Sequence, residues 1–514
     1  MNQWIPHKGP QEQALRRYEF EVLFGGSRGP GKTDAGIVWL TGEQYGTDEN
    51  GKALFLVDHP RYRALVIRKN ANDLVDWLER AERFFRSFGA KRSSFMNSIA
   101  FIFPSGAVIR TGHLKDADTY TKYQGHEYHR MLLEEATQIP DEKRYVQLIS
   151  SCRTSIPEIK ARVFLTANPG GKGHGWIKRR FVDTANLRSY TYVNAKGETK
   201  EGMIGTTYRD PVSGRKRIYI PARVDDNPTL IENDPDYVKG LDALRSTDEQ
   251  LWKAWRNGDW DVFIGQVFGE WNQVIHTTEK PPFAITRQVK YIVGYDWGYN
   301  SPGCAIWIAM SGHGLDRKYY IYRELYQNKK SPEEWAEDMS TIFKIDEAGG
   351  RELSYVSLPH DCFDSNRGGQ QIATIFKQVW EKNGLNIRIV AAKTKNAGSR
   401  LNRVALTHQS LSISDDGQSY ARIHRRCTNL IRTIPELVYD DHNVEDVDTE
   451  SDDHAWDAYS MALLTEQDLA GSMVVTNNPK ELKKPSYTAL SSTTYRPSVD
   501  VLEQAKQLLR QGEL

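Results

Sequence analysis

Short apolar segments alternate with amphipathic ones through the first third of the chain. The apolar segments are rich in β-branched and aromatic residues, which favour strands. They predict strands at Glu19–Phe24, Ala64–Arg68, Met131–Leu133 and Arg162–Thr166. Ile99–Phe103 and Ala107–Thr111 flank the turn residues Pro104-Ser105-Gly106 and predict a hairpin. Strands that alternate with helices indicate an α/β fold whose central, mainly parallel sheet is covered on both faces.

The pattern changes in the middle of the chain. An aromatic-rich helical stretch is predicted over Asp236–Trp255, and it ends at Asn257-Gly258, a good helix stop signal. Strand candidates then follow in succession at Tyr291–Asp296, Ala305–Met310 and Lys318–Tyr326. Helices and strands alternate after them up to Ala455–Thr465. This order is typical of a second α/β domain that differs from the first.

These changes predict the domain boundaries. The first domain covers residues 1–260, a linker covers 261–288, and the second domain covers 289–470. Gly265, Gly269 and Pro281-Pro282 make the intervening segment a natural linker. Residues 471–514 are polar and rich in Ser, Thr, Pro and Lys, which predicts a flexible tail that ends in a short amphipathic helix near Val501–Leu509.

Composition supports two domains and adds few other constraints. A chain of 514 residues with 39% hydrophobic and 26% charged residues is typical of a globular protein too long for one core. No apolar run approaches the roughly 20 residues needed to span a bilayer, and the first residues do not resemble a signal peptide. The four cysteines (Cys152, Cys304, Cys362 and Cys427) lie far apart and indicate reduced thiols. These features predict a cytoplasmic protein without a membrane partner.

The net charge of +1 does not by itself indicate a partner. Phosphate contacts can still lie on one local face, so clusters of basic residues are candidates for a DNA-binding surface. Taken singly, each is more often a solvated surface than a DNA track. The clusters are Lys172, Lys178, Arg179 and Arg180; Arg215, Lys216 and Arg217; Lys393, Lys395, Arg400 and Arg403; and Arg422, Arg425 and Arg426.

A phosphate-binding loop follows the first predicted strand. The motif GxxxxGK[ST] consists of Gly26, Ser27, Arg28, Gly29, Pro30, Gly31, Lys32 and Thr33. It lies between a hydrophobic strand and an amphipathic helix, which is the context that this motif requires. Glycines let backbone N–H groups wrap a phosphate, and the following helix directs its positive end at the anion. Lys32 is expected to neutralise the β- and γ-phosphates of ATP, and Thr33 to bind Mg²⁺.

Such a loop needs a carboxylate partner on a neighbouring strand. The apolar segment Met131–Leu133 ends in Glu134 and Glu135. We expect Glu134 to belong to the Mg²⁺ shell and Glu135 to orient the attacking water. Asn168, which follows another strand, is placed to sense the γ-phosphate, although it could equally form a turn before Pro169.

Acidic residues also lie at strand and helix ends in the second half. Asp296 and Asp361 each close a predicted strand, and Asp453 and Asp457 are four residues apart, so on a helix they share one face. Carboxylates that converge in this way can hold two Mg²⁺ or Mn²⁺ ions for phosphodiester cleavage. For each residue alone, a helix cap or a solvated turn is the simpler interpretation. Asp364 and Asp452 are alternatives that spacing does not exclude.

The motifs together resemble the large terminase subunits of tailed bacteriophages, up to about Ala470. GGSRGPGKT resembles the Walker A loop of that family, LLEEA its Walker B motif, and TANP its coupling motif. The stretch that closes the family's ATPase domain is similar to residues 225–228, 235–237 and 255–260. VFGEW resembles the start of its nuclease domain, and GYDWG and DHAWDA resemble the first and last acidic motifs of its ribonuclease H-like nuclease.

The resemblance implies roles for individual residues. Lys32, Thr33, Glu134 and Glu135 would carry out ATP hydrolysis, and Asn168 would couple it to motion. Gln11 would read adenine, with Gln13 equally close to the expected position. Arg130 and Arg153 are both candidates for an arginine that completes a neighbour's site. Asp296, Asp361 and Asp453 would bind the nuclease metals, with Asp457 as a possible fourth ligand.

The resemblance also implies a P-loop ATPase domain followed by a ribonuclease H-like nuclease domain. A ring of subunits, five in the family's usual picture, would dock on the portal protein of a procapsid and drive double-stranded DNA inward. The nuclease would cut concatemeric DNA when packaging starts and ends, and a small terminase subunit would select the DNA. The protein would act in the host cytoplasm, transiently at the portal vertex, and would be absent from the mature virion.

The alternative is a repair or helicase-type ATPase fused to a ribonuclease H-like nuclease. It accounts for the P-loop and the acidic residues, but we find no further helicase motifs between them. A purely structural nucleotide-binding protein would leave the second acidic cluster unexplained. The packaging motor with a nuclease is therefore the preferred hypothesis.

Overall fold

Two large β-sheets, of nine and seven strands, organise the chain, one in each half of the sequence. The computed structural model describes residues 4–95, 98–116, 118–262, 265–364, 370–396, 398–414, 417–440, 446–448 and 451–474. Met1–Thr465 form one compact unit that contains both sheets. The predicted tail and its amphipathic helix lie outside the described residues, except for 471–474 at the end of the last helix.

The first half contains thirteen strands and eight helices within its described residues. The strands are β1 (Glu21–Gly26), β2 (Gln44–Thr47), β3 (Ala53–Phe55), β4 (Arg63–Arg68), β5 (Lys91–Phe95), β6 (Ser98–Ile102), β7 (Val108–His113), β8 (Arg130–Leu133), β9 (Arg162–Ala167), β10 (Arg188–Val193), β11 (Thr199–Ile204), β12 (Tyr208–Arg209) and β13 (Lys216–Ala222). The helices are α1 (Pro10–Leu15), α2 (Lys32–Trp39), α3 (Val75–Phe85), α4 (Glu142–Ile149), α5 (His174–Ile177), α6 (Pro228–Asn233), α7 (Pro235–Thr247) and α8 (Glu249–Asn257).

The first sheet has nine strands in the order β12-β13-β1-β9-β8-β4-β7-β6-β5. Strands β13 to β7 in that order run parallel, and the hairpin of β5 and β6 continues the sheet in antiparallel fashion. The predicted strands of this half are confirmed. The predicted hairpin is also confirmed, and it is formed by β6 and β7. The mainly parallel α/β sheet is confirmed as well.

Side chains on alternating positions explain why both faces of this sheet are covered. In β1, Val22 and Phe24 belong to one hydrophobic cluster, whereas Leu23 belongs to another. Successive side chains of a strand point to opposite faces, so the two clusters lie on opposite faces of the sheet. A strand that is buried on both faces needs a continuous apolar run, and the burial of every residue in β1 and β9 agrees with this.

The second half adds six helices and seven strands, again within the described residues. They are α9 (Gln273–His276), β14 (Thr277–Thr278), β15 (Lys290–Asp296), β16 (Gly303–Ser311), β17 (Lys318–Gln327), α10 (Pro332–Ala348), β18 (Leu353–Leu358), α11 (Ile372–Lys382), β19 (Ile389–Ala391), α12 (Ser399–Leu411), β20 (Ala421–His424), α13 (Thr428–Thr433) and α14 (His454–Val474). The sheet order is β14-β20-β17-β16-β15-β18-β19. Strands β15 to β17 form an antiparallel meander, and the outer strands add to it in parallel. The meander confirms the three successive strands predicted here.

Two segments differ in detail from the sequence analysis. The helix predicted over Asp236–Trp255 is divided into α7 and α8, because Asp248 is extended and its side chain accepts a hydrogen bond of 2.8 Å from the backbone of Leu251. An Asp in this role is a helix N-cap, so it starts a new helix. Within the segment predicted as a linker, β14 pairs with β20 at the edge of the second sheet.

Within the part of the chain that the structure describes, no helix is long and apolar enough to cross a membrane.

The contact between β15 and α14 gives a test of the packing. A Cβ at Gly294 would lie 2.0 Å from the carbonyl oxygen of Ala458, whereas a Cβ at Gly240 in α7 would meet no described atom within 4 Å. We expect Gly294→Ala to destabilise the protein by about 3 kcal/mol through overpacking. Gly240→Ala should stabilise it by ~0.5–1 kcal/mol, because alanine favours a helix. Urea unfolding of the two variants measures both effects, and equal effects would contradict this packing.

Candidate functional site

The phosphate-binding loop joins β1 to α2 as the sequence predicts. Gly26, Gly29 and Gly31 have positive φ angles of 131°, 91° and 81°, a region that side chains with a Cβ rarely adopt. A Cβ at Gly26 would also lie 2.2 Å from the carbonyl oxygen of Ala222 on β13. The glycines are therefore required by both the backbone conformation and the closeness of the next strand.

Lys32 lies at the first turn of α2 and points back into the loop. Its Nζ donates hydrogen bonds to the carbonyl oxygen of Ser27 and, over 2.7 Å, to Oδ1 of Asn168. Burial lowers the pKa of Lys32 to about 7, although the nearby charges of Glu134 and Glu135 oppose this shift. A buried ammonium group at the mouth of a glycine-rich loop is well suited to bind an anion.

The strand that carries the acidic pair is one position further away than we predicted. The sequence analysis expected β8 beside the loop, but β9 lies between β1 and β8. Asn168 follows this intervening strand and reaches Lys32. Glu134 nevertheless accepts hydrogen bonds on one carboxylate oxygen, Oε2, from Thr33 over 3.4 Å and from Thr166 over 3.1 Å. The chain thus brings Lys32, Thr33, Glu134 and Asn168 together.

The other carboxylate oxygen of Glu134 supports a metal-binding role. Its Oε1 is buried and, among the described residues, has no hydrogen-bond partner. Burial raises the pKa of this carboxyl group to about 7, against the hydrogen bond from Thr166. An unpaired buried carboxylate oxygen costs free energy, and Mg²⁺ prefers such oxygen ligands. The residues present therefore fit the Mg²⁺ of a bound nucleotide.

Glu135 is held by residues that the sequence analysis did not identify. It has the left-handed conformation (φ 49°), which is strained for a residue with a side chain. Its Oε2 lies 2.9 Å from Arg68 and accepts a hydrogen bond of 2.6 Å from Gln138. Arg68 ends β4, the neighbour of β8. A charged residue at the end of a buried strand was the available signal for Arg68.

The two glutamines considered for adenine recognition have different environments. Gln11 is buried, and its Nε2 donates a hydrogen bond of 3.0 Å to the carbonyl oxygen of Gly31 in the loop. Gln13 instead bonds with Arg17, one helical turn further on. Gln11 is therefore the glutamine in contact with the phosphate-binding loop.

The stretch between β13 and the second half packs directly on the loop. The guanidinium of Arg28 lies 3.2 Å from the ring centre of Trp255, at the end of α8. The Asn227 side chain donates a hydrogen bond of 2.7 Å to the carbonyl oxygen of Gly29. Sequence analysis placed these residues in one motif-like stretch but did not predict their contact with the loop, which depends on how α6 to α8 fold back.

Of the two arginines considered for a neighbour's site, Arg130 is fully buried. It forms an ion pair with Glu43, which also pairs with Arg162. Its role in the structure is to neutralise Glu43, so it is not available to another subunit. Arg153 is exposed.

In the second half, Asp296 lies at the end of β15, next to the start of α14. Its Oδ2 is 3.1 Å from Nδ1 of His454. Burial raises the pKa of Asp296 to about 6; the His454 hydrogen bond opposes this, and the charges of Asp457 and Asp361 add to it. Asp361 and Asp457 are therefore each within electrostatic range of Asp296.

Two arginines of α12 hold the acids of the last helix. Arg400 donates a hydrogen bond of 2.8 Å to Asp453, and Arg403 donates one of 2.8 Å to Asp457. Burial and the charge of Asp457 raise the pKa of Asp453 to about 7, although Arg400 opposes the shift. Sequence analysis had assigned both arginines only to a basic cluster, so their contact with the acids was missed.

The alternative acids are bound elsewhere. Asp452 accepts hydrogen bonds of 2.6 Å from both Tyr326 and Arg432, and despite burial these partners lower its pKa. Asp364 forms an ion pair of 2.9 Å with Lys395. The geometry therefore favours Asp453 over Asp452, and the charge interaction with Asp296 favours Asp361 over Asp364.

The four predicted acids are not arranged as a preformed metal cage. Within the described residues, no group of three or more His, Cys, Asp or Glu side chains could hold a metal ion. Each of Asp296, Asp453 and Asp457 faces a basic side chain instead. The carboxylate donors have the right chemistry for Mg²⁺ or Mn²⁺, but binding at Asp296 or Asp453 would require His454 or Arg400 to move.

The first basic cluster is occupied by ion pairs within the chain. Lys172 pairs with Asp448, Lys178 with Asp183, Arg179 with Glu436, and Arg180 with Glu21. These contacts identify it as a structural cluster. The pairs of Lys172 and Arg179 also connect the segment after β9 to the second half of the chain.

A buried histidine fixes this same segment. The backbone N–H of Gly170 donates a hydrogen bond of 2.8 Å to Nδ1 of His174, whose Nε2 lies 3.0 Å from the carbonyl oxygen of Trp260. Accepting at Nδ1 and donating at Nε2 requires the neutral imidazole. Burial lowers the pKa of His174 to about 4.

Comparison with protein families identifies the second half. Residues 293–466 match the family model of the terminase RNaseH-like domain. The PBSX phage terminase large subunit of Bacillus subtilis (strain 168) is 26% identical over 208 residues. That alignment covers 39% of this chain and 44% of the relative's length, so less than half of the relative is spanned. The chain therefore carries a terminase ribonuclease H-like domain and has a phage large terminase subunit as a homologue.

Solved structures of large terminases are also similar. The large terminase of a thermophilic bacteriophage matches with a TM-score of 0.35 and 15% identity, covering 90% of this chain and 99% of that one. The HK97 bacteriophage large terminase matches with a TM-score of 0.42 and 10% identity, covering 88% and 94%. At these scores the resemblances establish no residue correspondence.

The neutral state of His174 predicts a pH dependence of stability. Its pKa is about 4 in the folded chain against 6.5 unfolded, so it stabilises the fold above pH 6.5 and loses this contribution as the pH falls towards 4. The full contribution is about 3 kcal/mol. His174→Gln should therefore lower the free energy of unfolding at neutral pH, and the gap to the wild type should shrink with acidification. Urea unfolding across this range tests it, with the exposed His126→Gln as control. A gap that is constant with pH would contradict the neutral imidazole.

Proposed function

We propose that this chain is the large subunit of a phage terminase, which uses ATP hydrolysis to package double-stranded DNA and cuts that DNA with a metal-dependent nuclease. The observation that carries the proposal is the combination, on one chain, of a P-loop site with a terminase ribonuclease H-like domain. A nuclease alone would not need the buried lysine and acidic pair of the first sheet. A nucleotide-binding module alone would not need the second acidic group.

At the first site, each residue has a task that its position supports. ATP with Mg²⁺ would supply the γ-phosphate whose hydrolysis provides the free energy. Lys32 would neutralise phosphate charge, and Thr33 and Glu134 would hold the cation. Glu135 would orient and deprotonate the attacking water once it leaves Arg68. Asn168 is hydrogen-bonded to Lys32, so it would transmit the presence or absence of the γ-phosphate to the segment after β9.

At the second site, Asp296, Asp361 and Asp453 would hold two Mg²⁺ or Mn²⁺ ions, with Asp457 close by. Such ions stabilise the attacking and leaving oxygens of a phosphodiester. Until metal ions bind, His454 neutralises the charge of Asp296 and Arg400 that of Asp453. The site lies where β15, the turn after β18 and the start of α14 meet.

The sequence resemblance supplies the proposed partners. We infer a homo-oligomeric ring, five subunits in the family's usual picture, docked on the portal protein of a procapsid in the host cytoplasm. A small terminase subunit would deliver concatemeric double-stranded DNA, which the nuclease cuts at the start and end of packaging. The ring would leave before the virion matures.

The ATPase site predicts different defects for two variants. Glu135→Gln should still bind ATP but hydrolyse it at least about 100-fold more slowly, because the general base is lost. Lys32→Ala should lose both binding and hydrolysis, because the buried ammonium is removed. Nucleotide binding and phosphate release measure the two effects, and the exposed Glu158→Gln is the matched control. Hydrolysis at the wild-type rate by Glu135→Gln would exclude Glu135 as the base.

The nuclease site predicts that cutting is separable from hydrolysis. In plasmid nicking with Mn²⁺ or Mg²⁺, the wild type and Lys32→Ala should cut, whereas Asp296→Ala should not. The exposed Asp316→Ala is the control for removal of an aspartate. If Asp296→Ala cuts as well as the wild type, the second site is wrong and this half of the chain only binds DNA.

A further inference from the structure

We infer that Arg400 is an exchangeable counter-cation of the nuclease site: it holds Asp453 in the metal-free protein and binds a DNA phosphate once metal takes that carboxylate. The inference rests on the proposed nuclease function and adds a positioning residue to it. It follows from the geometry of α12 against α14.

Arg400 connects several acids at the first turn of α12. Its Nε donates a hydrogen bond of 2.7 Å to Asp446, and its Nη2 donates one of 2.8 Å to Asp453. Its Nη1 lies 3.9 Å from Asp457. One guanidinium group therefore neutralises much of the negative charge that would otherwise attract a divalent ion.

A metal ion and this guanidinium compete for Asp453. Divalent ions bind carboxylate oxygens directly, at about 2.0–2.6 Å. The Asp453 side chain is only 10% exposed, so charges near it are poorly screened. Placing a second cation beside Arg400 would be strongly unfavourable. Metal binding to Asp453 thus requires the Arg400 side chain to turn away.

The neighbouring Arg403 is more deeply buried than Arg400. Its side chain is 5% exposed and donates to both Asp457 and Ser460. The Arg400 side chain is 24% exposed, so it is more accessible to solvent than Arg403. Arg400 is therefore the exchangeable partner of Asp453, and Arg403 is the permanent partner of Asp457.

A released guanidinium at this position has an obvious ligand. The planar guanidinium group is always charged, and its parallel N–H donors match the geometry of a phosphate group. It would be released beside Asp453 and Asp457, where a DNA phosphate must approach the proposed metal site to be cut. Metal binding would thereby create a phosphate contact, and DNA binding would become metal-dependent.

Matched arginine variants test the inference. Arg432 pairs with the adjacent Asp452 and is 25% exposed, against 24% for Arg400. Mn²⁺ binding is measured by calorimetry at a fixed alkaline pH, and binding of a short DNA duplex is measured with and without Ca²⁺.

We expect Arg400→Met to raise Mn²⁺ affinity about tenfold, equivalent to ~1.4 kcal/mol. It should also abolish the gain in duplex affinity on adding Ca²⁺. Arg432→Met should change neither quantity.

The direction of the effect separates this role from a structural one, because damage to the fold would weaken metal binding. Arg400→Gln replaces the methionine variant if that does not fold. Unchanged or weaker Mn²⁺ binding by the folded variant would overturn the inference, as would a gain by Arg432→Met alone. The proposed nuclease site fails separately if the wild type binds Mn²⁺ no better than Asp296→Ala does.

Discussion

A buried charge must be balanced within the chain, and both sites are arranged by this constraint. Lys32 faces Glu134 and Asn168, Glu135 faces Arg68, Asp296 faces His454, and Asp453 faces Arg400. Each functional group thus has an internal partner that a ligand has to replace. A nucleotide or metal ion that binds here would form new contacts. Part of the free energy gained would be lost, because the internal contacts must break. At both proposed sites, ligand binding would therefore require side chains to move.

Parallel strands bring these groups together. Strands β1, β9, β8 and β4 are consecutive in the first sheet, and their carboxyl ends share one edge. Lys32, Asn168 and the acidic pair each follow one of these strands and Arg68 ends β4, so this edge carries positive, negative and polar groups side by side. The second sheet uses the same principle on a smaller scale. Asp296 ends β15 and Asp361 follows β18, its parallel neighbour, and the start of α14 closes the group.

Much of this could be predicted from the sequence, because apolar runs and glycine-rich loops are local signals. The strands around Phe24, Leu133 and Thr166 and the P-loop glycines were identified in this way. The position of β9 between β1 and β8 could not be, since strand order is set by packing across the sheet. Arg68 and Arg400 were missed for the same reason: their partners are distant in sequence. The break at Asp248 was missed because helical periodicity outweighed a single capping residue.

The segment that follows Asn168 connects the two sheets through charge. Arg179 pairs with Glu436, and Lys172 pairs 3.0 Å away with Asp448, two residues after the Asp446 that holds Arg400. A Cβ at Gly175 would lie 2.4 Å from the Glu436 side chain, so that side chain packs directly against the backbone of α5. Lys172 and Glu436 are 14% and 19% exposed and Asp448 is only 2% exposed, so these ion pairs are mostly buried, and removing one partner would leave an uncompensated charge. Breaking either pair is therefore costly. The same pairs lie between the segment that follows Asn168, the residue in contact with Lys32, and the residues next to Asp446, which holds Arg400.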